Sequence, residues 1–345
     1  MAYFFKLPVI TDLTTGQQAA LNEPNAIAIS GGPGTGKSVV SLWRHIRNYG
    51  LGNKKSLLLT YTKTLERYLA SSALSESALA GKAVDRTYDW SYNRATNYDE
   101  IIIDEAQDVE ESIYKKIKKY SNNVSYGADD KQIVYQKKCT TETQLRNIFP
   151  ANNNYPLDEN FRNSYEIMQF TRALFPNKLI SQHTINTLLQ ENRRGNKPIM
   201  LITNNDLEKQ KKAIIDIINQ FKSDTHNIAI LLPLQKHVTA FYEFINQSGI
   251  LCSKFISEDD ELVVIENIHI TTFKSSKGTE YDTVIIPNFQ NYEWNIANLT
   301  LAPITENDYY VALTRARRNL YLISSSPIPF LQSELQKTTY QTEIL

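Results

Sequence analysis

The sequence predicts an α/β protein of two domains, each a mainly parallel sheet flanked by helices. Three observations carry that expectation. The chain has 345 residues, and single cores mostly run to roughly 100 to 200. Short β-branched and Leu-rich runs alternate with amphipathic stretches, as parallel strands alternate with crossover helices. A polar, turn-rich stretch, PANNNYP at 150–156, divides the strands into two series.

The first series is expected at residues 25–30, 56–61, 100–104 and 124–128. The second is expected at 198–203, 228–232, 268–273, 283–287 and 320–324. Apolar residues return every three or four positions across 109–120, 206–221 and 235–246, so these read as helices, each following a strand. The boundary is placed near Leu157, giving domains 1–157 and 158–345.

Composition excludes several classes. With 41% hydrophobic and 21% charged residues the chain is globular rather than disordered or fibrous. Lys plus Arg and Asp plus Glu both total 37, so nucleic acid would have to be met by a local groove and not by a globally basic surface. Cys139 and Cys252 are too few and too distant for a disulfide framework or a metal knuckle, and reduced thiols fit a cytosol. No apolar run reaches the 18 residues of a membrane helix, and MAYFFKLPVITDL lacks the pattern of a signal peptide. A soluble cytoplasmic protein is expected. The basic run KKIKK at 115–119 lies on a helix and reads as a solvated face.

The sharpest chemical signal is GGPGTGKS, comprising Gly31, Gly32, Pro33, Gly34, Thr35, Gly36, Lys37 and Ser38. A strand precedes it and a helix follows. Glycines let the backbone N–H groups curl around phosphate oxygens, and the helix N-terminus adds a favourable dipole. Lys37 is expected at the β- and γ-phosphates, and the Ser38 hydroxyl on Mg²⁺. In YDEIIIDEAQD a buried Ile triplet delivers Asp104 and Glu105 to the edge of the sheet where the phosphate loop also sits. Asp104 is expected to hold Mg²⁺ and Glu105 to align an attacking water, because phosphoryl transfer needs positioning and charge stabilisation. Gln132 follows another strand, where an amide can touch both water and γ-phosphate.

Together these residues resemble superfamily 1 helicases of the UvrD, Rep and PcrA type, over most of the chain and in the correct order. The resemblance implies two RecA-like domains with ATP and Mg²⁺ in the cleft between them. LTTGQQAAL resembles the Q motif, implying that Gln17 meets adenine. LLLTYTKTLERYL resembles the segment that carries single-stranded nucleic acid, with Tyr61 as a stacking platform and Thr62 as a phosphate contact. GADDKQIVY resembles G-D-x-x-Q-x-I-Y through Asp129, Gln132 and Tyr135, with Ala128 in place of the Gly. LDENFRNS implies Phe161 near adenine and Arg162 as an arginine finger. TTFKSSKGTEYDTVII implies Thr272 and Lys274 on the nucleic-acid side and Glu280 at the ATP ribose. YYVALTRARRNLYL implies Arg315 as a second finger.

The sequence also departs from that pattern. About ten residues separate Tyr88 from Asp99, where large relatives insert a subdomain, and residues 250–267 have room only for a short hairpin where they insert another. The His of T-x-H-x-[FW] is not evident in AVDRTYDW, and Lys274 stands where His is usual. The implied activity is that of an ATP-dependent translocase or helicase on single-stranded DNA, 3′ to 5′ by resemblance, within a repair or phage-defence complex whose protein partner the sequence does not name. An ATP-switched subunit regulating a partner protein, and an RNA helicase, are the alternatives.

Overall fold

The structure, a computed structural model, describes residues 3, 7–50, 54–94, 96–135, 138–256, 264–289, 304–327 and 334–345. The chain folds as two units, one of Phe5–Phe161 and one of Met1–Phe4 with Arg162–Leu345.

The unit Phe5–Phe161 runs α1 (Thr15–Asn22), β1 (Ile27–Gly31), α2 (Lys37–Gly50), β2 (Ser56–Thr60), α3 (Lys63–Glu76), α4 (Ala78–Lys82), β3 (Val84–Arg86) and α5 (Thr87–Asp89). It continues with β4 (Glu100–Ile103), α6 (Glu111–Ile117), β5 (Val124–Ala128), α7 (Glu142–Ile148) and β6 (Asn153–Leu157). Its six strands lie in the order β3-β2-β4-β5-β1-β6, every neighbouring pair parallel. Helices cover both faces, so β2, β4 and β5 are buried at every position and apolar runs fill them. On one face Leu57, Leu59, Ile101, Ile103 and Tyr126 pack with Trp90, Tyr114 and Phe149. At the opposite end of β4 from the acidic pair, buried Glu100 accepts hydrogen bonds from Arg44 Nε at 2.6 Å and Asn48 Nδ2 at 2.8 Å, which fastens α2 to the sheet.

Two expectations are corrected. The polar stretch 150–156 is not simply a separator. Residues 153–157 form β6, an edge strand paired with β1 alone, and its mostly solvent-facing residues explain the polar sequence. The segment 250–267 does not form a hairpin in its described part, because β9 (Ser253–Phe255) runs parallel to its neighbour; residues 257–263 of that segment lie outside the described residues.

The second unit runs α8 (Tyr165–Leu174), α9 (Gln182–Gln190), β7 (Ile199–Ile202), α10 (Leu207–Phe221), β8 (Ile228–Leu232), α11 (Gln235–Gln247) and β9. It continues with β10 (Ile268–Thr272), β11 (Tyr281–Ile286), α12 (Glu306–Leu313), β12 (Ala316–Ser324), α13 (Glu334–Lys337) and β13 (Gln341–Ile344). Its seven-stranded sheet has the order β13-β7-β12-β11-β8-β10-β9, again with every pair parallel. Two apolar layers cover its faces. One is built on Ala229, Leu231, Val284, Ile286 and Leu322, the other on Ile228, Ile230, Ile270, Ile285 and Ile323. Strand β12 begins four residues before its apolar run, because its pairing with β11 starts at Ala316 opposite Tyr281; buried Asn319 donates to Thr283 Oγ1 at 2.9 Å. No helix among the described residues is long and apolar enough to cross a membrane.

Candidate active site

The phosphate-type loop joins β1 to α2. Gly36 has φ +86°, and a Cβ there would stand 2.3 Å from Gln17 Nε2. Glycine is required on both counts. Gln17 is committed at both ends of its amide. Its Oε1 accepts from Thr14 N at 3.0 Å, completing the capping box of α1, while its Nε2 donates to Thr35 O at 2.9 Å. Gln17, the residue expected at adenine, thus braces the loop in this structure. At the other side β6 passes so close that a Cβ on Gly31 would lie 2.3 Å from Leu157 O. The Phe161 N–H holds Gly34 O at 2.8 Å, so half-buried Phe161 is tied to the loop through its backbone. Thr35 Oγ1 closes the turn onto Gly32 O at 3.0 Å, and Pro33 is buried. Lys37, opening α2, folds its ammonium over the loop and donates to Gly31 O at 2.7 Å and Gly32 O at 2.9 Å.

Strand β5 lies between β1 and β4 and carries Gly127. A Cβ at Gly127 would stand 3.5 Å from both Lys37 Cβ and Asp104 Oδ1, and 3.7 Å from Ser41 Oγ. Phosphate-loop lysine and strand carboxylate thus meet over one small residue. Asp104 is buried, and neither of its oxygens reaches a hydrogen-bond donor. Burial and the neighbouring Glu105 charge push its pKa up to about 7, against the opposing pull of the Ser38 hydroxyl, the Lys37 charge and the Glu105 backbone. A buried carboxylate without a donor is costly, and a hard cation with oxygen ligands suits it. Asp104 and the Ser38 hydroxyl are the residues that would hold Mg²⁺.

Glu105 adopts the left-handed region, φ 57° and ψ 42°, uncommon for a residue with a Cβ and often associated with functional sites. Its Oε2 accepts from Gln107 Nε2 at 2.7 Å. Gln132, buried in the turn after β5, donates from Nε2 to Asp129 Oδ2 at 2.6 Å. Asp104, Glu105 and Gln132 thus all leave the same edge of the sheet as the loop.

On that edge Tyr61 follows β2, and its ring lies 4.6 Å from the ring of Tyr135 at 42°. Burial, with Asp108 and Glu110 nearby, raises its hydroxyl pKa to about 12, so the ring stays neutral. Thr62 is buried and caps α3, its Oγ1 accepting from Leu65 N at 3.2 Å.

In the second unit, Arg162 Nε pairs with Glu280 Oε2 at 3.0 Å, and Arg317 approaches the other oxygen at 3.5 Å. The Tyr3 hydroxyl donates to Glu280 O and accepts from Glu280 N. Burial raises the Glu280 pKa, but the arginines outweigh it and the net shift is downward. Arg315 is 1% exposed; its Nε donates to Val311 O at 3.0 Å and its Nη1 to Thr279 O at 3.2 Å. Thr272 Oγ1 donates to Ser275 Oγ and accepts from Ser275 N, holding a turn. Lys274 makes a largely buried ion pair with Asp308 at 2.7 Å, joining its loop to α12. Thr272 and Lys274, the residues expected on the nucleic-acid side, make these contacts within their own unit.

Sequence reasoning passed over four residues. Gln107, inside DEAQD, contacts Glu105. Asn163, beside Arg162, donates to Thr314 O and Ala316 O and so fixes the backbone around Arg315. Tyr135 was noted only as a pattern match, although its ring packs on Tyr61. Arg317, two residues beyond Arg315, reaches Glu280. Each stood within a recognised motif, which was the signal available.

Residues 24–214, more than half of the chain, match the family model of the Schlafen group 3, DNA/RNA helicase domain. Residues 236–327 match that of the UvrD-like helicase C-terminal domain. A protein of Acanthamoeba polyphaga mimivirus, named as an ATP-dependent DNA helicase, R568, is 27% identical over 244 residues, which span 64% of this chain and 34% of that protein. The RecBCD enzyme subunit RecB of Chlamydia pneumoniae is 40% identical over 76 residues, 22% of this chain and 7% of its own. The chain thus spans about a third or less of the length of these relatives. Among solved structures, the C-terminal domain of a protein of Lactobacillus plantarum WCFS1 described as a DNA helicase is similar at 20% identity and TM-score 0.38, over 53% of this chain and 98% of its own.

Proposed function

The chain belongs to the superfamily 1 helicases, in the family of the Schlafen group 3 DNA/RNA helicase domain and in compact form, and from that premise we propose that it is an ATP-hydrolysing motor acting on single-stranded DNA. One observation carries the reading: buried Asp104, without a hydrogen-bond donor, beside the Lys37 loop. In this reading loop N–H groups and Lys37 take the β- and γ-phosphates, and Ser38 and Asp104 hold Mg²⁺. A metal held there would offset the charge of the phosphates. Glu105 aligns the attacking water and accepts its proton, Gln132 contacts water and γ-phosphate, and Arg162 and Arg315 supply the cations that stabilise the transferring group. Tyr61 and Tyr135 form the aromatic platform on which bases stack.

ATPase activity with and without oligo-dT, oligo-rU and 3′- or 5′-tailed duplexes, across a salt series, tests it. Stimulation by a single strand that weakens with salt is expected, since phosphate contacts release counterions. Activity unmoved by every polynucleotide counts against a motor on nucleic acid. The RNA arm separates an RNA helicase, and the tailed duplexes report polarity, expected to be 3′ to 5′. A second reading, an ATP-switched subunit that controls a protein partner in a larger complex, is favoured by Thr272 and Lys274 being engaged within their own unit. Unwinding by the purified chain alone excludes that version.

A further inference from the structure

Gln107 lies two residues beyond the carboxylate assigned to align water. It is 0% exposed, and its amide spans two groups that fix which way round it sits. Glu105 Oε2 only accepts, so it must face the NH₂ end, at 2.7 Å. The Asp129 N–H only donates, so it must face the oxygen end, at 3.1 Å. No flipped amide satisfies both. The backbone is held as well, since Thr140 N donates to Gln107 O at 3.0 Å.

Glu105 needs such a hold. Its backbone is left-handed, and a conformation of that kind persists only where surroundings over-determine it. Pinning one carboxylate oxygen sets the direction in which the carboxylate faces. The far end of the same amide grips the backbone of Asp129, whose Oδ2 accepts from Gln132 at 2.6 Å. One side chain therefore connects the carboxylate after β4 with the turn after β5 that carries Gln132.

We propose that Gln107 is a positioning residue for hydrolysis: its amide aims the Glu105 carboxylate and registers it against the Asp129–Gln132 turn. It touches no substrate and acts through Glu105. The proposal rests on the ATPase reading above, and its test separates the two.

The test is steady-state and single-turnover ATP hydrolysis by the full chain with Mg²⁺ and oligo-dT. Misplacing a reacting group by about 1 Å can cost on the order of 10²-fold, so Gln107→Ala is expected to lower kcat roughly 10- to 100-fold while KM moves less than about threefold. A residue working only through Glu105 has nothing left to lose once Glu105 is disabled. In the Glu105→Gln background, Gln107→Ala is therefore expected to change the residual rate by less than about twofold. Gln107→Glu keeps the size and the acceptor for Asp129 N but loses the donor, and it carries the test should the alanine variant misfold. It too is expected to lose kcat, with binding of a fluorescent ADP analogue retained. Wild-type kcat in Gln107→Glu, or an equal loss with and without Glu105, overturns the positioning role and leaves the ATPase reading standing. A wild-type chain that hydrolyses no ATP overturns both.

Discussion

Gly36→Ala probes how the loop is held. The added Cβ would stand 2.3 Å from Gln17 Nε2, on a residue whose φ is +86°. A non-glycine residue there costs about 1–3 kcal/mol in backbone strain. Gln17 must also swing away and give up its bond to Thr35 O, a further loss of about 1 kcal/mol. The total is about 2–4 kcal/mol, or roughly 5–15 °C in the unfolding midpoint of a unit of this size. Thermal and urea unfolding of the full chain measure it. Combining the change with Gln17→Ala discriminates the two causes, because the clash and the bond are then both absent and only the strain remains. The double variant should show a coupling of about 1 kcal/mol. Equal costs with and without Gln17 would refute the brace, and a cost under about 0.5 kcal/mol would refute the strain as well.

Three further outcomes follow from the same geometry. Glu105→Gln should bind ATP and Mg²⁺ normally yet hydrolyse at a small fraction of the wild-type rate; single-turnover assays decide, and retained turnover would remove Glu105 from its role. Arg315→Ala should keep nucleotide affinity and lose about 10³-fold or more in kcat if the residue serves as a finger; it also strips donors from Val311 O and Thr279 O, so the rates must be read well below the melting point, and normal turnover there rejects the assignment. Acid should weaken both units through buried histidines. In the first unit His45 contacts Ala80 O at 2.9 Å and Ser56 Oγ at 3.0 Å, and burial lowers its pKa to about 4. His269, beside Ser253 in the second unit, is lowered to about 4 by the same cause. Unfolded histidine titrates near 6.5, so between these values the unfolded chain binds more protons. The stability is complete above about pH 6.5 and falls as pH drops toward 4, by about 2 kcal/mol per histidine at pH 5. A urea midpoint that stays flat from pH 7 to 5 contradicts this.

What the sequence disclosed, and what it hid, follows from burial. Strands β2, β4, β5, β8 and β10 are buried at all positions, so runs such as SLLLT and EIII announce themselves without alternation. Edge strands have one neighbour and tolerate polar residues, which is why β6, with NNYPL, read as a linker and why β9 and β13 were missed. The phosphate-type loop was legible because its shape depends on local glycines between one strand and one helix. The Gln17 brace was not, since Thr35 lies 18 residues away. Nor was the two-ended hold of Gln107, whose acceptor end meets a backbone 22 residues on. The Lys274 ion pair was hidden for a related reason: its partner Asp308 belongs to α12, and only the fold brings the two together.

The cationic residues expected at nucleotide are each satisfied within their own unit. Lys37 is satisfied by the neutral carbonyls of Gly31 and Gly32, Arg315 by those of Val311 and Thr279, and Arg162 by the Glu280 carboxylate. Phosphate binding would therefore exchange acceptors and not create bonds from nothing. Trading a neutral carbonyl for an anionic oxygen is favourable, because charge-assisted hydrogen bonds are roughly twice as strong. Trading Glu280 for phosphate gains much less, since one anion replaces another. On the proposed reading, nucleotide would engage Lys37 more readily than Arg162, whose release would require another partner for Glu280. Asp104 is the exception, having no donor to exchange. On the proposed reading a metal cation would satisfy it, so occupancy of the acidic end is expected to depend on Mg²⁺.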